Sequence, residues 1–211
     1  ILSAMNKDML VIVTPVYEDG EVARQLFREL AATFGKNIYV VAVDDGSVRQ
    51  PLSIVDLEAA ELEGAVIKLK RNVGHQRAIA IGLNYVAENL ADAGKVVVMD
   101  SDGEDVPATI KELLKPLASS DIDLVVAERK SRRENALFRF FYNIYRWLFR
   151  LLSGRRIKFG NFMALKPDAV KRLTAMQELW IHVAACALTS NLRIAYCALD
   201  RGPRYGGMSK M

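Results

Sequence analysis

Short unbroken apolar runs alternate along the chain with stretches whose apolar residues return every third or fourth position, the spacing of a helix face. Residues 9–14 read as a strand closed by Pro15. Residues 21–34 read as a helix, with Val22, Leu26, Leu30 and Phe34 on one face. A second strand over 38–43 ends at Asp44-Asp45-Gly46-Ser47, a helix is predicted over 51–62, and a third strand over 65–69. A long helix over 76–90 precedes a fourth strand, 96–99. A helix over 107–117 then leads to a fifth strand, 122–127, ending at Glu128-Arg129. Strands that are apolar throughout, alternating with helices, predict an α/β fold. Its sheet should be mostly parallel with helices on both faces.

Polar residues gather where strands one, two and four end, the edge at which open α/β sheets bind ligands. The fourth strand breaks off into Asp100-Ser101-Asp102-Gly103-Glu104-Asp105. No core holds so many carboxylates dry, so they face water or a cation. Oxygen donors at alternate positions on such a loop suit Mg2+ or Mn2+, with phosphate completing the shell. A solvated acidic turn, with Pro107 at the first position of the next helix, accounts for the same residues. The loop after strand one lacks G-x-G-x-x-G, and no Walker A sequence occurs, which disfavours an NAD or P-loop enzyme.

With 211 residues, 51% of them hydrophobic, the chain suffices for one domain, residues 1–211. Cys186 and Cys197 have no C-x-x-C spacing and read as core filler in a reducing setting. No uncharged apolar run is long enough to span a membrane, and no signal peptide is legible. The start at Ile1 and the end within a basic loop, 200–211, read as a piece cut from a longer protein, with transmembrane helices expected beyond it. The net charge is +4. Residues 129–158 hold ten Lys and Arg against Glu134 alone, a local +9 that leaves −5 elsewhere. Such concentration implies an anionic partner.

Taken in order, Pro15-Val16-Tyr17-Glu18, Val43-Asp44-Asp45-Gly46-Ser47, Arg71-Asn72-Val73-Gly74 and the acidic loop resemble the family 2 glycosyltransferases of the GT-A fold, a Rossmann-like architecture. Gly160-Asn161-Phe162 and Arg204-Tyr205-Gly206-Gly207-Met208-Ser209-Lys210 look like the polyprenyl-phosphate branch, to which dolichol-phosphate mannose synthases and bactoprenol glucosyltransferases belong. The resemblance implies that Pro15, Tyr17 and Glu18 line a nucleotide pocket with Ser101. Asp44 or Asp45 would accept from the base, and Arg71 and Gly74 would flank the nucleotide. Asp100, Asp102 and Glu104 would hold the metal against the diphosphate. Glu104 stands where many relatives carry Gln, and His75 where Lys is common. His75 reads either as a phosphate contact or as a polar helix N-terminus.

The acceptor decides whether a base is needed. A sugar hydroxyl must lose a proton during attack, whereas a lipid phosphate is already an anion and needs cations to bring it near the donor. In 137–152, Arg139, Asn143, Arg146 and Arg150 recur at i, i+4, i+7 and i+11 and form one stripe. Phe138, Phe140, Phe141, Tyr142, Tyr145, Trp147 and Phe149 cover the rest, which suits an amphipathic helix over 136–153 in the membrane interface. A core helix with a wet arginine edge is the other reading. By resemblance, Arg129, Arg139 and Asn143 would bind the acceptor phosphate, with Arg204, Ser209 and Lys210 in a closing loop. Asp102, Arg129 and Arg139 are the expected catalytic residues.

The expected activity is inverting, metal-dependent transfer of a sugar from a nucleoside diphosphate, UDP first among candidates, to a polyprenyl phosphate. It would take place at the cytosolic face of the inner membrane, without nucleic acid. The sugar, the metal and any homo-oligomer stay open. The rival enzyme reading takes a sugar hydroxyl as acceptor with Glu178 as base, and Glu178 also reads as a helix N-terminal carboxylate. His182 reads as a core histidine. A non-catalytic nucleotide-binding membrane module is the rival from another class.

Overall fold

The computed structural model describes residues 9–129 and 159–206. The expected interfacial helix over 136–153 and residues Arg139, Asn143, Arg146, Arg150, Ser209 and Lys210 lie outside the described residues. The strands are β1 (Leu10–Val16), β2 (Ile38–Asp44), β3 (Glu63–Lys68), β4 (Lys95–Val98), β5 (Leu124–Arg129), β6 (Phe159–Leu165) and β7 (Ile194–Leu199). The helices are α1 (Gly20–Phe34), α2 (Ile54–Glu58), α3 (His75–Asn89), α4 (Ile110–Leu114), α5 (Pro167–Thr174) and α6 (Val183–Thr189).

The strands form one seven-stranded sheet in the order β3-β2-β1-β4-β6-β5-β7. Its pairings are parallel except those of β6, which runs against both β4 and β5. The reversed strand therefore starts at the edge where the others end, Phe159 pairing with Glu128 near the end of β5. The unbroken apolar strands have cores on both sides. Val11, Val13, Val96 and Val98 pack with Ile79, Leu83, Leu173 and Cys186 from α3, α5 and α6. Ile12, Val97 and Met99 pack with Leu26, Phe27, Ile110 and Leu113 from α1 and α4. Each such side chain contributes about 1.5–3 kcal/mol on burial, and together they hold the strand ends, and the loops leaving them, in place.

Three expectations need correcting. β1 does not stop at Pro15 but continues through it, Pro15 pairing with Val43. A proline is tolerated there because β4 pairs with β1 only from Leu10 to Val13, so no ladder on that side needs its N–H. The helix expected over 51–62 shrinks to α2. The Asp56 carboxylate accepts the Ser53 N–H at 2.7 Å and starts it. Glu61 at φ +56° then turns the chain into β3. The helix over 107–117 is α4 flanked by 3-10 turns, Pro107–Thr109 and Lys115–Ala118.

Candidate active site

From β1 the chain steps outward to β2 and β3, then returns to place β4 on the other side of β1. That reversal, where β1 and β4 part beyond Val13 and Val98, is the point at which an open α/β sheet forms a ligand crevice. On its β1 side, three buried carboxylates organise the loops. Asp44 accepts the N–H groups of Ser47 at 2.9 Å and Leu52 at 2.8 Å. Asp45 accepts those of Val73 at 2.7 Å and Gly74 at 3.0 Å. Glu18, at φ +52°, accepts from Val48, Arg49 and Gln50 at 2.9, 3.0 and 3.2 Å. The Val48 N–H is the largest influence on Glu18, and with Arg49 and Gln50 it outweighs desolvation and holds the carboxyl below its usual range. A Cβ at Gly46 would lie 2.5 Å from the Arg71 carbonyl carbon, and its φ is +77°, so only glycine lets the two loops meet.

These carboxylates, expected to meet the nucleotide, are occupied mainly in accepting backbone N–H groups of the loops beside the crevice. Pro15 is buried within β1, Tyr17 is half-buried, and Arg71 is exposed beside the crevice.

On the β4 side the acidic loop folds over itself. Asp105 accepts the Asp100 N–H at 2.9 Å, and Asp102 accepts the Glu104 N–H at 3.0 Å. Burial first, then the charge of Asp100, pushes the Asp105 carboxyl up to about 7. Asp102 is raised too, chiefly by burial. Oδ1 of Asp100 and Oδ1 of Asp105 are buried and accept no hydrogen bond, while Ser101 is buried beside them. Carboxylates crowded out of water keep a proton or take a cation, and this oxygen set fits a hard divalent ion. Asp100 and Asp102 suit that role. Glu104 is instead paired with Arg201. Among the described residues no three acidic, His or Cys side chains converge to hold a metal, so phosphate and water oxygens would complete the shell.

A strap leaving β7 covers this loop. Arg201 pairs with Glu104 and lies 3.7 Å from Asp105 Oδ1. Arg204, expected at the acceptor phosphate, lies 3.1 Å from Asp102 Oδ2. The Gly202 N–H donates to the Glu104 carbonyl at 3.0 Å, and the Tyr205 N–H donates to that of Asp102 at 2.9 Å. The Tyr205 hydroxyl donates to Glu29 of α1, and its ring lies against Gly103. Arg201 was not singled out by the sequence, although it sits three residues before a motif that was.

His75 opens α3 with Nε2 3.2 Å from Asp100 Oδ1 and 2.8 Å from Asn161 Nδ2. Burial opposes its charging, but Asp100, then Asp102 and Asp105, outweigh that and raise its pKa. Neither Asn161 nor Gln76, which donates to it at 3.2 Å, had been assigned a role. Arg129 ends β5 on the same edge. Glu178 is exposed in the 3-10 turn Gln177–Trp180. His182 is not a core residue: it is exposed and caps α6, Nδ1 accepting the Ala185 N–H at 3.3 Å.

Residues 11–179 match the model of the family described as glycosyl transferase family 2. The undecaprenyl-phosphate 4-deoxy-4-formamido-L-arabinose transferase of Shewanella sediminis is 34% identical over 140 residues, covering 64% of this chain and 40% of that protein. The protein of the same name from Edwardsiella ictaluri is 30% identical over 207 residues, covering 94% of this chain and 62% of its own length. This chain thus spans 40% and 62% of those two relatives. Among solved structures, glucosyl-3-phosphoglycerate synthase from Mycobacterium tuberculosis, in complex with Mn2+, UDP and phosphoglyceric acid, has a TM-score of 0.65. It is 16% identical, with 95% of this chain and 72% of that one covered. That likeness is one of fold, and it bears out the Rossmann-like GT-A architecture expected from the strand-end motifs. The family match takes in the clamped loops of β1 and β2 and the acidic loop of β4 together, and the chain belongs to glycosyl transferase family 2.

Proposed function

We propose that this chain is the catalytic domain of a transferase moving a sugar from a nucleoside diphosphate, UDP first, to a polyprenyl phosphate of the undecaprenyl type. The observation that carries the reading is the crowded carboxylate loop at the β1–β4 crevice, facing guanidinium groups across it. The activity for which the Shewanella and Edwardsiella relatives are named supports the acceptor class. Asp100 and Asp102 would hold Mg2+ or Mn2+. When bound, such an ion supplies Lewis-acid neutralisation of the charge that develops on the departing diphosphate.

The chain's own residues do the rest. Asp44, Asp45 and Glu18 fix the loops that receive the nucleotide, so little ordering is left to the moment of binding. Arg129, with Arg139, Asn143, Ser209 and Lys210, would hold the acceptor phosphate, and arginine forks match its oxygens in pairs. Arg204 would leave Asp102 to join them. An ionised phosphate attacks without a base, and direct displacement inverts the anomeric centre. The basic stretch 129–158 would rest on anionic lipid at the cytosolic face, each Lys or Arg near that surface contributing about 1 kcal/mol.

Turnover with nucleotide sugar, Mn2+ and a short polyprenyl phosphate tests the acceptor assignment. Arg139→Ala is expected to abolish product and Glu178→Gln to leave most of it. The reverse pattern would replace the lipid phosphate by a hydroxyl acceptor.

A further inference from the structure

Six large apolar side chains stand exposed among the described residues: Val48, Ile54, Val55, Trp180, Ile181 and Tyr196. The topology places five of them at the edge that carries the crevice. Val48 lies in the loop leaving the end of β2, and Ile54 and Val55 open α2 directly after it. Because β6 runs against its neighbours, it ends at the far edge, and α5 carries the chain back. Trp180 and Ile181 follow, and the Val183 N–H beside them donates to Gln76 in the first turn of α3 at 2.8 Å. Tyr196, on the outer strand β7, is the exception. Apolar residues scattered singly over a surface need no partner, but a set gathered at one edge marks a surface that meets something.

Two further features of that edge identify the partner. Glu18, Asp44 and Asp45 are buried against backbone N–H groups, and Asp56 is bound by Arg24 at 2.7 Å. Exposed there instead are Arg49, Lys68, Lys70 and Arg77, besides Arg71, while the exposed Glu58 lies at the other end of α2. The surface around Val48, Ile54 and Val55 is thus cationic and apolar together, which suits an anionic lipid surface. Trp180 suits the headgroup layer, its ring apolar and its indole N–H polar. The second feature is the attachment of the +9 stretch over 129–158. It begins at the last residue of β5 and ends one residue before β6, and both points lie at this edge. A protein lying across both apolar groups would close the crevice between them. A bilayer surface would bring to it the lipid phosphate it has to reach.

We infer that the crevice edge of the sheet is the face that docks on an anionic bilayer, with Trp180 and Ile181 on one flank and Val48, Ile54 and Val55 on the other entering the headgroup layer. This rests on the lipid-phosphate reading of the acceptor given above. A polyprenyl phosphate has its charged end at the bilayer surface, so the crevice has to come down to it. The contact is shallow, since these side chains stand on short loops and helix ends and not on a long apolar helix. Charge supplies most of the hold and is weakened by salt, and the apolar side chains decide which edge faces the lipid.

Vesicles of mixed phosphatidylglycerol and phosphatidylcholine, with bromine on the acyl chains near the headgroups, are the probe. Trp147→Phe leaves Trp180 as the only tryptophan, since the sequence has two. On vesicle binding its emission should move to shorter wavelength and be quenched by the bromine. Ile181→Asp and Val55→Asp should each weaken partition about fivefold or more, through lost apolar contact and added charge. Tyr196→Asp, with the same charge on the outer strand, should change it about twofold at most, since screening confines each charge to about 10 Å at 0.1 M salt. Absence of capture, or capture with Trp180 emission unmoved and unquenched, overturns the inference. Equal effects of the three aspartate variants overturn it as well. With the native Trp147 in place, Trp180→Phe should remove part of the quenched emission, and an undiminished quench is a further contradiction. Should a short polyprenyl phosphate receive sugar while Trp180 stays in water, the proposed function stands and the docking face alone falls. Should Trp180 enter the lipid while no donor gives a lipid product, the acceptor reading falls and the docking face remains.

Discussion

At the scale of single residues, Asp105 and Gly103 show how much strain the acidic loop carries. Asp105 titrates at about 7 in the folded chain against 3.8 as a free side chain. Between those values the folded state holds a proton that the unfolded state has lost, so stability declines as pH rises from about 4 to 7 and stays low above that. Asp105→Asn keeps an acceptor for the Asp100 N–H and removes the penalty. Measured with a chelator present, its Tm should exceed that of the wild type at pH 8 and decline less between pH 5 and 8. A lower Tm at pH 8 would contradict the assigned burial cost. Gly103 has φ +88°, and a Cβ there would lie 2.7 Å from the Tyr205 ring. Gly103→Ala should cost about 1–2 kcal/mol from the left-handed backbone alone, more once Tyr205 shifts, and urea unfolding would read it. The sequence marked both residues as part of a motif. It could not show that one is buried and the other supports a ring reached from position 205.

At the scale of elements, the β1–β2 loops and the strap after β7 have opposite roles. Glu18 ties down three successive N–H groups. Glu18→Ala leaves those donors without a carboxylate, and amide exchange at Val48, Arg49 and Gln50 should speed up while the β4 amides keep their protection. Equal protection in the variant would show the loop to be held by something else. The strap, by contrast, places Arg204 on Asp102. Arg204→Ala should therefore tighten Mn2+ binding to the chain without nucleotide while lowering transfer to a lipid phosphate, and weaker Mn2+ binding would place Arg204 among the groups that support the metal. Strand ends were legible because unbroken apolar runs stop abruptly at Asp44 and Asp100. The strap's partners were not, because pairing Arg201 with Glu104 spans the whole second half of the sheet. Helical spacing likewise overextended α2, where capping by Asp56 and the positive φ of Glu61 overrode the apolar pattern.

For the molecule as a whole, alternation of strand and helix was enough to give the sheet, its two covered faces and the edge that carries the site. What it left out lay beyond residue 129: the helices α5 and α6, the edge strand β7 and, above all, β6. A strand running against its neighbours looks like any other in sequence, yet this reversal brings Asn161 to His75. No helix among the described residues is long and apolar enough to cross a membrane. The +9 stretch over 129–158 is a part of the sequence proposed above to rest on anionic lipid. Sedimentation with vesicles containing anionic lipid should capture the chain at low salt and release it as ionic strength rises, each contact being screened within about 10 Å at 0.1 M. Capture that ignores salt would point to apolar insertion instead. The most direct test of the account is to incubate the chain with Mn2+, a panel of nucleotide sugars and a short polyprenyl phosphate, and to weigh the lipid. One donor should add a single sugar to the lipid phosphate, with no product in Asp102→Asn. A lipid of unchanged mass with every donor, or full product from Asp102→Asn, would contradict it.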